Sequence, residues 1–362
     1  MLTKHIICCA AFLLILPDVL WAQTSGVSVS DRVDRLRKSL HLSAEEATQL
    51  ETAVAANDDD SADRELLLGY YYYTQIKSHS DSLEAKREQL IFWFIENAPA
   101  SEIAGQPEAE IIPNSSVGTE EGYARAKQLW LEQTERHPKS PLILFNAATF
   151  LLLKDLSIAT TMLEKAHDLD PANRNIVARL ALAYDFERRE TTSSSEESAL
   201  AHKVLALREQ ALAVASNRFR LFDLPDVAEA AFAAGEFDRA QRYASEFLEG
   251  VATPKYSNEY GLGIHRCRIL LGLLALNQGH VSAAKEYLLD ACHIPADPLL
   301  LMREPDFTLA QRVLENGDYS AVIAYLDSCA IAWPDLAKRM HGWAAIIREG
   351  GVPNFSSSGN QE

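Results

Sequence analysis

Turn-forming residues are scarce in this chain. Its 362 residues include only 16 glycines and 14 prolines, too few for an all-β protein, in which a reversal recurs about every 8–12 residues. Cysteine is scarcer still, at five. Cys8 and Cys9 lie inside an N-terminal apolar run, and the remaining Cys267, Cys292 and Cys329 are an odd number. That excludes the paired framework of a small disulfide-rich domain. Basic charge is short as well: 34 Lys and Arg face 51 Asp and Glu, a net charge of −17. A surface this acidic repels phosphate backbones and anionic lipid, and no Lys/Arg cluster makes a local exception, so nucleic acid is excluded as a partner. The longest apolar run, residues 6–16, is well under the roughly 20 residues of a spanning helix. Catalytic and metal signatures are missing too. No HExxH, GxSxG or P-loop occurs, and the histidines never pair at helical spacing. No cofactor or metal is expected.

What is present points to helices. Hydrophobic residues at 48% and charged residues at 23% give the balance of a folded chain rather than a disordered one. Residues 1–22 read as a secretory signal, with polar Lys4 and His5, the apolar run, and Leu20-Trp21-Ala22 offering a small residue before Gln23. The chain is therefore expected to be exported, periplasmic or secreted in a bacterial envelope, with no spanning segment once the signal is removed.

Residues 23–98 form an N-terminal helical region. Ser43-Ala-Glu-Glu46 is a capping box opening a helix, and Asp58, Asp59 and Asp60 end it as a solvated loop rather than a metal site. Tyr70, Tyr71, Tyr72 and Tyr73 cover every face of a helical turn and are expected to pack on the helix carrying Phe92-Trp93-Phe94. Residues 99–118, with Pro99, Pro107 and Pro113, read as a linker. Residues 119–333 then carry a repeat array, and 334–362 a C-terminal helix and flexible tail.

The repeat shows best in Val227-Ala228-Glu-Ala-Ala231-Phe-Ala-Ala-Gly235-Glu236-Phe237-Asp238-Arg-Ala240, followed by Ala244 and Phe247. A small residue sits inside the first helix, a glycine ends it, and alanine opens the second, because closely crossing helices leave no room for larger side chains. Copies follow at Leu271-Gly272 through Gly279 to Ala291, and at Leu309-Ala310 through Asn316-Gly317-Asp318-Tyr319 to Cys329. Degenerate copies precede them at residues 146–171 and 180–215. This pattern resembles the tetratricopeptide repeat family, whose unit is two antiparallel helices in about 34 residues. The resemblance implies an all-α fold, an α-solenoid of tetratricopeptide-like hairpins. The glycine spacings of 44 and 38 residues, from Gly235 to Gly279 to Gly317, imply an irregular superhelix. Leu67-Leu68-Gly69-Tyr70-Tyr71, the Phe92-Trp93-Phe94 segment and the residues from Trp343 to Phe355 also resemble a group of exported bacterial repeat proteins. That likeness brings no catalytic residue with it.

Isolated chemistry-like motifs have ordinary explanations. Ser282-Ala-Ala-Lys285 has the spacing of a serine nucleophile with a lysine base, but it sits at a repeat turn where serine is a favoured helix start. Gly261-Leu-Gly263 lacks a preceding strand. His280 and His293 fall at a turn and a helix end. Cys267 and Cys292 lie about equally far from the Gly279 turn, so they either meet in a disulfide or fill small-residue positions as free thiols; Cys329 is expected in the core.

The resemblance implies that first helices line a concave face and grip a peptide or partner protein. The positions it assigns there include Asn175, Asp185, Phe222, Glu229, Phe232 and Asn277. Lysine is missing from them, and Asp185 and Glu229 would repel a carboxylate, so a hydrophobic or basic segment is the expected ligand. The expected function is a non-enzymatic protein-interaction scaffold. The alternative is a helical-toroid enzyme acting on glycan or peptidoglycan through paired carboxylates.

Overall fold

The computed structural model describes residues 38–57, 61–78, 80–113, 115, 117–252, 260–295, 297, 300 and 303–355. The expected signal, the lead-in, Asp58–Asp60 and the tail from residue 356 lie outside them. All regular structure among the described residues is helical, apart from one isolated bridge between Ser115 and Gly118. The chain forms two compact units, one up to Glu187 and the other from Arg188. Within each, successive helices pack in neighbouring pairs, the arrangement of an α-solenoid.

The first unit holds α1 (Ala44–Ala56), α2 (Ser61–Ser78), α3 (Asp81–Asn97), α4 (Glu120–Arg136), α5 (Pro141–Leu151), α6 (Leu156–Leu169) and most of α7 (Arg174–Glu190). The capping box opens α1 as expected: Glu46 N–H donates to Ser43 Oγ at 3.2 Å, and Ser43 N–H to the Glu46 carboxylate at 2.8 Å. The tyrosine run divides its faces. Tyr71 packs with Ala47 of α1 and Leu90 of α3, and its hydroxyl donates to Glu51 at 2.6 Å. Tyr72 turns the other way, onto Ile112 and Val117. Helix α5 is largely apolar and buried from Ile143 to Leu151, the mark of a central helix rather than a surface one.

Residues 99–118 are not a linker. Two short 3-10 turns, Ile103–Gly105 and Pro107–Ala109, carry a run that is buried from Ala104 to Ile112 and packs on α2, α3 and α5. Arg87 of α3 is the cause. Fully buried, its guanidinium donates through Nε to the Glu108 carbonyl at 3.1 Å, through Nη1 to the Val117 carbonyl at 2.8 Å, and through Nη2 to the Glu110 carbonyl. The Asn146 amide holds the start of the segment, donating to the Pro99 and Ser101 carbonyls at 2.9 Å each. The segment's own backbone groups are thus paired by side chains, which is what allows an irregular stretch to be buried.

The second unit holds α8 (Ser194–Ala213), α9 (Asn217–Ala233), α10 (Phe237–Val251), α11 (Gly261–Asn277), α12 (Val281–Asp290), α13 (Thr308–Glu315), α14 (Tyr319–Ala332) and α15 (Ala337–Arg348). Three hairpin turns close alike. Gly235, Gly279 and Gly317 have φ of +76°, +79° and +86°, and the residue after each donates its N–H back to a carbonyl five positions earlier. This is a Schellman closure, open to glycine because it carries no β-carbon. Gly350, at φ +83°, ends α15 the same way. The C-terminal helix therefore continues the pattern, and Phe355 beyond it stacks on Phe307. Ala228, Ala240, Ala244, Ala284 and Ala310 are fully buried where helices meet. At Gly272 the approach is closer still: a β-carbon there would come within 2.2 Å of Leu309 on α13.

Of the two alternatives for Cys267 and Cys292, the buried free thiol holds for Cys267 and a disulfide between the two does not. Cys292 bonds to Cys329, with Cα atoms 5.3 Å apart, and Cys267 is a buried free thiol. Cys267 and Cys292 would be level only on a continuous hairpin. Helix α12 ends at Asp290, however, and the turn that follows carries Cys292 toward α14, which packs directly on α12.

Candidate functional site

Helices α9 and α11 are the first arms of successive hairpins and touch directly. Phe222, Asp226 and Glu229 recur on α9 at spacings of four and three, so they share one face. Arg266 of α11 reaches that face. Its Nε and Nη2 donate to the two Glu229 carboxylate oxygens at 2.6 Å each, and Nη2 also meets Asp226 Oδ1 at 2.6 Å. Arg208 of α8 meets the other Asp226 oxygen, Oδ2, at 3.5 Å. The carboxylates are enclosed by protein on several sides yet keep 32% and 36% of their surface open, while Arg266 keeps 13%.

Burial alone would raise the Asp226 carboxyl, but the charges of Arg266 and Arg208 outweigh it and hold the group well below the usual carboxylate range. Glu229 follows the same balance and is also lowered. Arg266, disfavoured by burial, is raised well above its ordinary value by Glu229 and Asp226. Arg303 lies in the segment leading to α13. The charge of Arg266, and then burial, lower its affinity for the proton.

The expected site residues scatter. Phe222, Glu229 and Phe232 are together on α9, all half-buried, but Phe232 leans on Phe237 at the hairpin end, with ring centroids 5.5 Å apart. Asn277 is the last residue of α11 and exposed, about 16 Å along the helix from Arg266. Asn175 and Asp185 belong to α7 in the other unit, about 15 Å apart along it. Glu229 is not the free acid expected, since Arg266 already neutralises it. Sequence reasoning missed Arg208, Asp226 and Arg266. The only local signal was the i,i+3 pairing of Asp226 with Glu229, two acids on one half-buried face that demand a cation.

A second carboxyl pair lies in the first unit, on the segment that Arg87 holds. Burial pushes the Glu110 carboxyl up to about 8 against the opposing charges of Arg179 and Arg87. Glu108 accepts from the Tyr73 hydroxyl at 2.8 Å. Each residue is only 7% exposed.

His265 of α11 is fully committed to structure. Its Nδ1 lies 2.9 Å from the Ala291 carbonyl, and its Nε2 accepts from Asp306 N–H at 3.0 Å, which assigns the neutral tautomer with the proton on Nδ1. Burial lowers its pKa to about 4. Because the folded value lies below the unfolded one of about 6.5, the unfolded state takes the proton first as pH falls. The stabilisation is complete above about pH 6.5 and is lost toward pH 4, at roughly 2 kcal/mol between pH 7 and pH 5. Urea unfolding across that range is expected to show this loss, and His265→Gln to flatten it. An unchanged slope in the variant would remove His265 as the cause.

Among the described residues no group of three His, Cys, Asp or Glu is placed to hold a metal, and no helix is long and apolar enough to cross a membrane. The chain matches no protein-family model, and no curated protein matches it in sequence.

Proposed function

We propose that this chain is an exported, non-enzymatic scaffold that binds a peptide or partner protein along the α9–α11 face of its second unit. One observation carries the reading: a half-open strip runs across the first helices of adjacent hairpins, with an aromatic residue and a fixed charge network on it. The tetratricopeptide resemblance supports it, because that family presents such helices to partners. Export rests on the N-terminal signal.

The two carboxylate pairs do not favour the glycan-acting alternative. Asp226 Oδ1 and Glu229 Oε2 share one Arg266 nitrogen at 2.6 Å, so they lie within about 5 Å of each other, a glycosidase-like separation. Both are held ionised, and neither can supply the proton that a leaving group requires. Glu108 and Glu110 are closed off.

The test is a comparison of proteins captured from envelope extract by the wild-type chain and by Phe222→Ala/Phe232→Ala, with thermal melts to show that both are folded. At least one partner is expected to fall about tenfold in the variant. Equal recovery of every protein by the two would reject this face as the binding surface.

A further inference from the structure

We infer that the outer face of α15 pairs with the same face of a second copy of this chain, antiparallel about a two-fold axis, so that Lys338 of each copy meets Glu349 of the other. This surface shares no residue with the α9–α11 face, and the inference does not depend on what that face binds.

Among the described residues, α15 is covered on one side only. Met340, Trp343, Ala344 and Ile347 recur at spacings of three and four and are buried against α14 and Phe307. Opposite them, Lys338, Gly342, Ala345 and Glu349 fall within about 60° of one another around the axis. His341 and Ile346 flank them, and all six residues are exposed. The arginines at the edges are already committed, Arg339 to Glu304 at 2.5 Å and Arg348 to Asp327 at 3.0 Å. Lys338 and Glu349, at the two ends of the face, make no ion pair among the described residues. Glycine is a poor helix former at an exposed interior position. Nothing inside the chain requires it at 342, since a β-carbon there would meet no atom within 4 Å.

The charges of this face complement themselves. Two copies of α15 laid antiparallel, with the axis between residues 343 and 344, set Lys338 opposite Glu349 twice. The same register sets Gly342 opposite Ala345 and His341 opposite Ile346. Lys338 and Glu349 are eleven positions apart, about 16 Å along the helix, so the two ion pairs close opposite ends of the contact. Between them the small side chains let the helix axes approach to about 8 Å. A slip of one turn in either direction brings Lys338 and Glu349 opposite uncharged residues, and a parallel pairing in register sets like charges together. The net charge of −17 opposes contact between copies in general, and physiological salt screens that repulsion beyond about 8 Å. Two copies therefore meet where their charges match locally.

The test is sedimentation of the full chain across a concentration series at physiological ionic strength. A contact of about three turns is small for a protein interface, so a reversible dimer is expected to appear above roughly 10 µM. The two-fold axis repeats each pair, so Lys338→Glu and Glu349→Lys each turn two attractions into two repulsions. Each is expected to weaken the dimer about tenfold or more. The two variants mixed in equal amounts are expected to dimerise with each other, and Lys338→Glu/Glu349→Lys in one chain to regain self-association. Gly342→Leu is expected to melt no lower than wild type yet lose the dimer, which separates lost contact from lost folding. A single-chain mass at every concentration up to about 500 µM overturns the inference. So does a dimer that the charge exchanges leave unchanged, or a mixture of the two variants that stays monomeric; the face then falls to another protein.

Discussion

Replacing Arg87 with alanine is expected to destabilise the first unit by about 3–5 kcal/mol and to open residues 107–118 to protease. The guanidinium is fully buried, and its three contacts are all backbone carbonyls, those of Glu108, Glu110 and Val117. Removing it strands the Glu108 and Glu110 carbonyls in a dry interior and leaves the Val117 carbonyl only the 3.4 Å bond from Ile112 N–H, and each unpaired acceptor costs on the order of 1–3 kcal/mol. Tyr72, whose ring lies 5.3 Å from the guanidinium, loses its cation as well. Urea midpoints and limited proteolysis measure the two effects. Arg87→Met supplies the control, because it keeps the apolar stem and removes the donors. A methionine variant as stable as wild type would show that packing, not the carbonyl clamp, orders the segment. Arg87→Lys should fall between, since an ammonium cannot reproduce the fork that spans three carbonyls.

Reduction of Cys292–Cys329 is expected to lower the stability of the second unit by about 3–4 kcal/mol, the loop-closure effect of a bridge between residues 37 apart. The measurement is the shift in urea midpoint with and without reductant. Cys292→Ala/Cys329→Ala should lie at the reduced position and show no further response, while Cys267→Ala should keep the full response. Burial pushes the Cys267 thiol far up and closes it to reagents, so alkylation there is expected only after unfolding. A tryptic map under non-reducing conditions that joins Cys267 to Cys292 would overturn the assignment.

Local features were legible because their causes lie within a few residues. The Ser43–Glu46 box, the glycine turns at 235, 279 and 317, and the alanines at helix contacts each follow from a short motif and a steric requirement. The misreadings share a different origin. Prolines and polar residues made 99–118 look like a linker, because what orders it is an arginine 21–30 residues away acting on carbonyls, and every residue has a carbonyl. Glu229 looked like a free acid because its partner, Arg266, stands 37 residues downstream on another helix. The cysteine pairing turned on where α12 stops, and a boundary two residues before Cys292 was enough to redirect it. Charge placement across helices depends on their rotation about their own axes, which a repeat pattern alone leaves open.

The packing of successive helices on one another has a consequence for the order of assembly. Contacts between adjacent arms close short loops, so the conformational search for any hairpin is brief and does not wait for distant parts of the chain. The second unit is built largely this way, and a nucleus formed at any of its glycine-closed turns is expected to spread outward in both directions. The first unit contains one step of another kind. Arg87 finds its carbonyls only after some thirty residues beyond it have come back around, so this segment is expected to settle last, as the slow phase of refolding in an otherwise fast protein.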